Sequence, residues 1–388
     1  MTINNTCYRP SWIYSWISSL FLSRLDSSGI HMLKESTGCS EIVKMDPIKH
    51  HIVFLQAAFC KVPDFQLPPS HSYTKAVYDV TSLADLHARV HSATILVFSA
   101  IKIDAVTLSP EVTPYLKYIV IVATGTDCVD LDACRARGIL VSNCPNANVE
   151  SVSEHALGMY FTIRRRMLEM RSLTMRGEWP RRGTLMFDML DRQGQPPLTC
   201  QEEVVGILGY GAVGKRIATI ARAVGMKVLI SGRKNDANGT SPPGNGNSNG
   251  DGNEQRVPFE HIIKTCTVIF IAVPLTDSTR HLISTPELEK MPQQSILVNV
   301  SRGGVVDEEA LVAALKENRI AGAAMDVFRE EPAGPENSPL LAEGTKDLNL
   351  LVTPHLAWLA GITWTIQSQI LKENIEQWAA GRQPNVVV

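Results

Sequence analysis

Val204-Val205-Gly206-Ile207-Leu208-Gly209-Tyr210-Gly211-Ala212-Val213-Gly214-Lys215-Arg216-Ile217 decides how this chain is read. An apolar run leads into three glycines at GxGxxG spacing, and Ile217, Ile220, Ala221 and Val224 then recur at helical intervals. The stretch predicts strand, phosphate loop and helix. Gly209 would permit the tight turn, Gly211 would let backbone approach a pyrophosphate, and Gly214 would let the helix pack on the strand. The helix N-terminus, with Ala212 and Val213 in its first turn, would hold the negative charge. A lone GxGxxG is often only a glycine-rich turn; the strand before it and the helix after it point to a dinucleotide.

Downstream, apolar runs at 227–231, 267–273, 295–300, 322–327 and 349–353 alternate with helix-length segments, which predicts a doubly wound parallel sheet over 204–353. One interruption, 235–253, is almost wholly Gly, Asn, Ser, Pro and Asp and is expected to be a flexible surface insertion. Upstream, strand runs at 52–55, 93–99 and 118–123, and a helix at 131–137 stopped by Gly138 before the run 139–141, predict a second α/β unit. The apolar residues Val152, Ala156, Met159, Tyr160 and Ile163 predict a long helix over 149–176 between the two units, capped by a Ser151/Glu154 box or one turn earlier by Asn148. His155, within it, reads as a packed or hydrogen-bonded structural histidine.

The 388 residues are 44% hydrophobic, enough for two ordinary cores. With 37 basic and 39 acidic residues, net charge −2, nothing draws the chain to nucleic acid or an anionic membrane, so a small-molecule partner is expected. The eight cysteines show no CxxC pair and no zinc spacing; they read as reduced thiols of a cytoplasmic protein with no metal site. The apolar run 12–22 is too short to span a bilayer, and residues 1–44 are expected to be a disordered extension, with Met45 starting the folded body.

Beyond the glycine loop, the chain carries Gly125-Thr126-Asp127, Ser153-Glu154-His155-Ala156-Leu157, Val298-Asn299-Val300-Ser301-Arg302-Gly303-Gly304, Asp326-Val327-Phe328 with Glu331-Pro332, and Thr353-Pro354-His355. In these motifs, and over nearly all of 51–369, it resembles the D-isomer-specific 2-hydroxyacid dehydrogenases, in particular the glycerate dehydrogenase and hydroxypyruvate and glyoxylate reductase members. The resemblance implies an α/β fold of two doubly wound parallel-sheet domains, a Rossmann cofactor domain (146–355) inserted in a flavodoxin-like catalytic domain (45–145, completed by 356–388). It also implies a homodimer. Trp358, three residues after His355, is similar to a residue of the glycerate and hydroxypyruvate subset, although a packing role fits equally.

Reduction of a 2-keto acid needs a cation for the carboxylate, a proton donor for the carbonyl oxygen and a group that tunes that donor. Arg302 and His355 each follow a strand's carboxyl end, where such sheets bind ligands. The resemblance makes Arg302, Glu331 and His355 the catalytic residues, with Glu331 raising the histidine pKa and orienting the ring; Glu330 is read as solvated. It places substrate oxygens against Arg302 and backbone N–H groups of two loops, around Ala100 and around Thr124 and Gly125. Asp326 is expected to face the nicotinamide carboxamide, and Pro274 to line the cofactor.

NAD-selective folds carry an acid about 20 residues past the loop. Here no acid lies between Lys215 and Asn235, and Ser231, Arg233 and Lys234 stand at the second strand's end, so the reading prefers NADP, with NAD the alternative. A dinucleotide-sensing binding protein, similar to the family's corepressors, is the rival to an enzyme. Formate dehydrogenase is disfavoured because Glu331 directly precedes Pro332.

Overall fold

A computed structural model describes residues 47–234 and 255–388. The expected N-terminal extension, the start at Met45 and the 235–253 insertion lie outside the described residues. In the first domain run β1 (Ile48–Phe54), β2 (His71–Val77), α1 (Leu83–Val90), β3 (Ile95–Phe98), β4 (Tyr118–Ile121), α2 (Leu131–Arg137) and β5 (Leu140–Asn143). The five strands pair in parallel in the order β2-β1-β3-β4-β5. β3 and β4 are apolar at every position because helices cover both faces. α2 has its expected limits: Asp130 accepts from the Ala133 N–H at 2.9 Å, and Gly138 ends it at φ 68°.

The predicted long helix is two helices, α3 (Val149–Arg164) and α4 (Met167–Met175), separated at Arg166 with φ 45°. The break falls where the apolar stripe meets Arg164-Arg165-Arg166. Arg164 is drawn under the sheet, donating to the carbonyls of Gln294 (2.9 Å) and Thr267 (3.1 Å) and pairing with Glu203 (2.5 Å), which fixes the helix end. Neither expected cap forms: Asn148 is the N-cap residue without a side-chain hydrogen bond, and the Ser151 hydroxyl reaches the Trp358 carbonyl at 3.1 Å instead. The stripe itself is buried as predicted, against the second sheet. A short α5 (Glu178–Arg182) follows.

The second domain contains β6 (Val204–Leu208), α6 (Ala212–Ala223), β7 (Lys227–Ser231), β8 (Arg256–Val257), α7 (Phe259–Thr265), β9 (Val268–Ile271), α8 (Thr285–Leu288), β10 (Ile296–Asn299), α9 (Glu308–Lys316), β11 (Gly322–Met325) and β12 (Leu350–Val352). Its parallel order, β12-β11-β10-β9-β6-β7-β8, reverses direction at β6, so the glycine loop opens at the switch point where such sheets bind ligands. α3 and α6 cover one face, α7 and α9 the other. α10 (Gly361–Ala379) then returns to the first sheet, burying Leu371 and Ile375 against Ile52 and Phe54, and the final residues run along β5, where Val141 N–H donates to the Val388 carbonyl at 2.7 Å.

Candidate active site

β10, β11 and β12 are neighbours, and their carboxyl ends deliver Arg302, Glu331 and His355 to one place. The turn after β10 is set by buried Asn299, whose side chain accepts from Ser301 N–H (3.0 Å) and donates to the Arg302 carbonyl (2.8 Å). Arg302 then reaches across to the first domain. Its Nε donates to Asp127 at 2.8 Å and its Nη1 to the Ser301 carbonyl at 2.8 Å. Its Nη2 lies against Gly125 so closely that a side chain there would meet it. The N–H groups of Thr124 and Gly125 donate to no acceptor among the described residues. Arg302 and these two amides thus form a cationic, donor-rich rim.

His355 Nδ1 lies 2.6 Å from Glu331 Oε2, and Glu331 Oε1 accepts from the Phe328 N–H at 2.9 Å. Burial pushes the Glu331 carboxyl up, but the hydrogen bond and charge of His355, the Phe328 N–H and Arg302 together outweigh it and hold the carboxyl below its usual range. An ionised carboxylate only accepts, so His355 donates from Nδ1 and Nε2 is left for a ligand. Glu330 is exposed and makes no hydrogen bond among the described residues.

His355 sits at φ 54°, a conformation that is strained for a side-chain-bearing residue, and Asp326 holds it there. The Asp326 carbonyl accepts the His355 N–H at 2.7 Å. Its carboxylate, 1% exposed, accepts from Leu356 N–H (3.1 Å), Ala357 N–H (3.0 Å) and the Thr353 hydroxyl (2.6 Å). His155 completes the set with Nε2 3.1 Å from the Thr353 hydroxyl, a hydrogen-bonded structural role as expected. Asp326 therefore serves the His355 turn with both oxygens. Trp358 packs on Phe59, ring centroids 6.0 Å apart.

The loop around Ala100 is differently engaged. The N–H groups of Ser99 (3.1 Å), Ala100 (2.8 Å) and Ile101 (2.9 Å) all converge on Gln56 Oε1. Gln56 carried no motif; its only signal was a polar residue ending an apolar strand. Asp127 and Asn299 stood inside the quoted motifs without an assigned task.

For a dinucleotide, the loop fits. Gly209 has φ 95° and passes so close to the Ala272 carbonyl that no side chain could be placed there. A side chain at Gly211 would point into open space, and α6 begins there with no side chain capping its N-terminal amides, at Ala212, Val213 and Gly214. These are the requirements of a pyrophosphate cradle. Pro274 is exposed past the carboxyl end of neighbouring β9. At the end of β7, Ser231 is 4% exposed and donates its hydroxyl to the Gly232 carbonyl at 2.8 Å. Lys234 turns away to Glu287 (2.9 Å) and the Leu282 carbonyl (3.1 Å), while Arg233 is exposed.

Comparison with known proteins agrees with this architecture. Residues 157–357 match the model of the D-isomer specific 2-hydroxyacid dehydrogenase, NAD binding domain. A glycerate dehydrogenase of Methylorubrum extorquens is 35% identical over 339 residues, 87% of this chain and 98% of the relative. A glyoxylate reductase of Aeropyrum pernix is 34% identical over 283 residues, 73% and 78% of the two chains. The solved NADPH-dependent glyoxylate/hydroxypyruvate reductase of Sinorhizobium meliloti, in complex with NADP and malonate, shares the fold with TM-score 0.66 at 24% identity, covering 87% of this chain and 97% of that one. The chain belongs to the D-isomer-specific 2-hydroxyacid dehydrogenase family. It is an enzyme, an NAD(P)-dependent oxidoreductase acting between 2-keto and D-2-hydroxy acids.

Proposed function

We propose that the enzyme reduces glyoxylate, hydroxypyruvate or a similarly small 2-keto acid, with NADPH as preferred cofactor, and that Arg302, Glu331 and His355 carry the reaction. The observation that carries this reading is the 2.6 Å pair of His355 Nδ1 and Glu331 Oε2 beside Arg302, with His355 Nε2 left for the substrate. Arg302, with the Thr124 and Gly125 amides, binds the carboxylate; the cation and the fixed N–H dipoles both favour a carboxylate over a neutral group. When bound, the dihydronicotinamide supplies the hydride. His355 Nε2 then gives the carbonyl oxygen its proton, and in the reverse direction takes it from the hydroxyl; Glu331 stabilises the charged ring and fixes its orientation. Asp326 acts as a positioning residue through the His355 turn. Gln56 keeps the Ala100 loop in the shape that borders the substrate.

NADPH preference is supported by the absence of an acid at the end of β7 among the described residues and by exposed Arg233. The buried hydroxyl of Ser231 and the diverted Lys234 take no part in this reading. Steady-state kinetics with a panel of small 2-keto acids and each cofactor tests the proposal; a kcat/KM about tenfold higher for NADH would reject the cofactor assignment.

The domain limits of the sequence reading, 45–145 with 356–388 against 146–355, are supported by the separate β1–β5 and β6–β12 sheets and by the packing of α10 on the first of them. A homodimer is supported by the apolar side chains that α4, α5 and the turn after them leave exposed, Met175, Trp179, Met186 and Phe187. Sedimentation at micromolar concentration should give twice the chain mass, and a monomer would reject it. A cytoplasmic location is supported by the six described cysteines, all free thiols. Among the described residues no helix is long and apolar enough to cross a membrane.

A further inference from the structure

The groups around the carboxyl end of β7 are unequally available. Ser231 has its hydroxyl committed to the Gly232 carbonyl, and Lys234 is committed to Glu287 and Leu282. Gly232 offers no side chain, and its N–H donates to the Val257 carbonyl at 2.8 Å, which fastens β8 to this turn. On β8, Arg256 stands opposite Ile230 and is half-buried. Its Nη1 donates to the Ser231 carbonyl at 3.2 Å, and it makes no ion pair among the described residues.

We propose that Arg256 is the second guanidinium of a 2′-phosphate subsite, acting with Arg233 in the place that Lys234 does not fill, and is a determinant of cofactor choice. This rests on the NADPH reading above. A phosphate monoester carries nearly two negative charges near neutral pH and accepts several charge-assisted hydrogen bonds, so two guanidinium groups match it better than one. Arg233 supplies an exposed fork from the turn. Arg256 supplies one already anchored to the adjacent backbone, so less side-chain freedom is lost on binding. Among the described residues no carboxylate pairs with it, and Gly232 presents none to repel the incoming dianion. NADH has no group that would use this second fork.

The test is fluorescence titration of the full-length enzyme with NADPH and with NADH, alongside kinetics, for wild type, Arg256→Gln and Arg256→Lys. Arg256→Gln should weaken NADPH about tenfold or more and NADH by less than about twofold, with the kinetic loss in KM for NADPH rather than in kcat. Arg256→Lys, which keeps the charge but loses the fork, should fall between. If wild type does not prefer NADPH, the cofactor reading itself fails. If wild type prefers NADPH and Arg256→Gln keeps that preference, or both variants weaken the two cofactors equally, Arg256 only ties β8 to β7 and this assignment alone is overturned.

Discussion

The Nε of Arg302 lies 2.8 Å from Oδ2 of Asp127, joining the carboxyl end of the cofactor sheet to the first domain across the cleft. Asp127 takes the Nε edge of the guanidinium, and Nη2 lies against Gly125, the edge proposed to meet the substrate carboxylate. Losing a charge-assisted pair of this kind costs about 1.5–3 kcal/mol. Arg302→Ala should therefore lower kcat/KM for the keto acid by about tenfold to more than a hundredfold. Gly125→Ala should move in the same direction, because its new methyl group would occupy the guanidinium's place. Unchanged kinetics in both variants would remove Arg302 from the substrate site.

Asp326 should matter through geometry. Asp326→Ala removes the acceptor for Leu356 N–H, Ala357 N–H and the Thr353 hydroxyl, so the left-handed conformation of His355 keeps only its backbone hydrogen bonds, to the carbonyls of residues 326 and 353. A destabilisation of about 1–3 kcal/mol is expected, with a fall in kcat and a smaller change in substrate KM. Thermal unfolding and steady-state kinetics together check this. Full activity with lowered stability would show that the His355 turn holds its shape without Asp326.

Much of this was legible in the chain. Buried strands such as Ile95–Phe98 and Tyr118–Ile121 are written as unbroken apolar runs, and α2 carries both its cap and its stop. β2 was not legible because His71–Val77 is only partly buried, and β8 because two residues carry no period. The helix break at Arg166 depends on Glu203 and the Gln294 carbonyl, far away in sequence. Lys234 read as a phosphate ligand for the same reason: its partner Glu287 stands on α8, and only the fold brings the two together. Arg302, Glu331 and His355, the residues proposed as catalytic, could be picked out because each follows a strand inside a local motif, whereas the Gln56 contact with the Ala100 loop is long-range.

Acid should destabilise the first domain through His50. This ring is 4% exposed, stacked on His71 and edge-on to Trp378, with Nδ1 lacking a partner among the described residues. Burial, then the nearby charges of His71 and Lys117, lowers its pKa to about 4. The folded value lies below the unfolded one, so the fold prefers the neutral ring. Its contribution is complete above the unfolded pKa and is lost as pH falls towards the folded value, by as much as ~3 kcal/mol. Denaturant unfolding between neutral pH and the acid side of that window should show a shallower decline for His50→Gln than for wild type. Equal slopes would remove His50 as the source.

His355, oriented by Glu331, is proposed to move the proton at Nε2. The most direct measurement is kcat for glyoxylate or hydroxypyruvate with saturating NADPH in His355→Ala, beside a titration of NADPH binding to the same variant. A loss of about 100- to 10,000-fold in kcat with cofactor affinity within a few-fold of wild type is predicted. Turnover close to wild type would contradict the assignment and require another proton donor in the cleft.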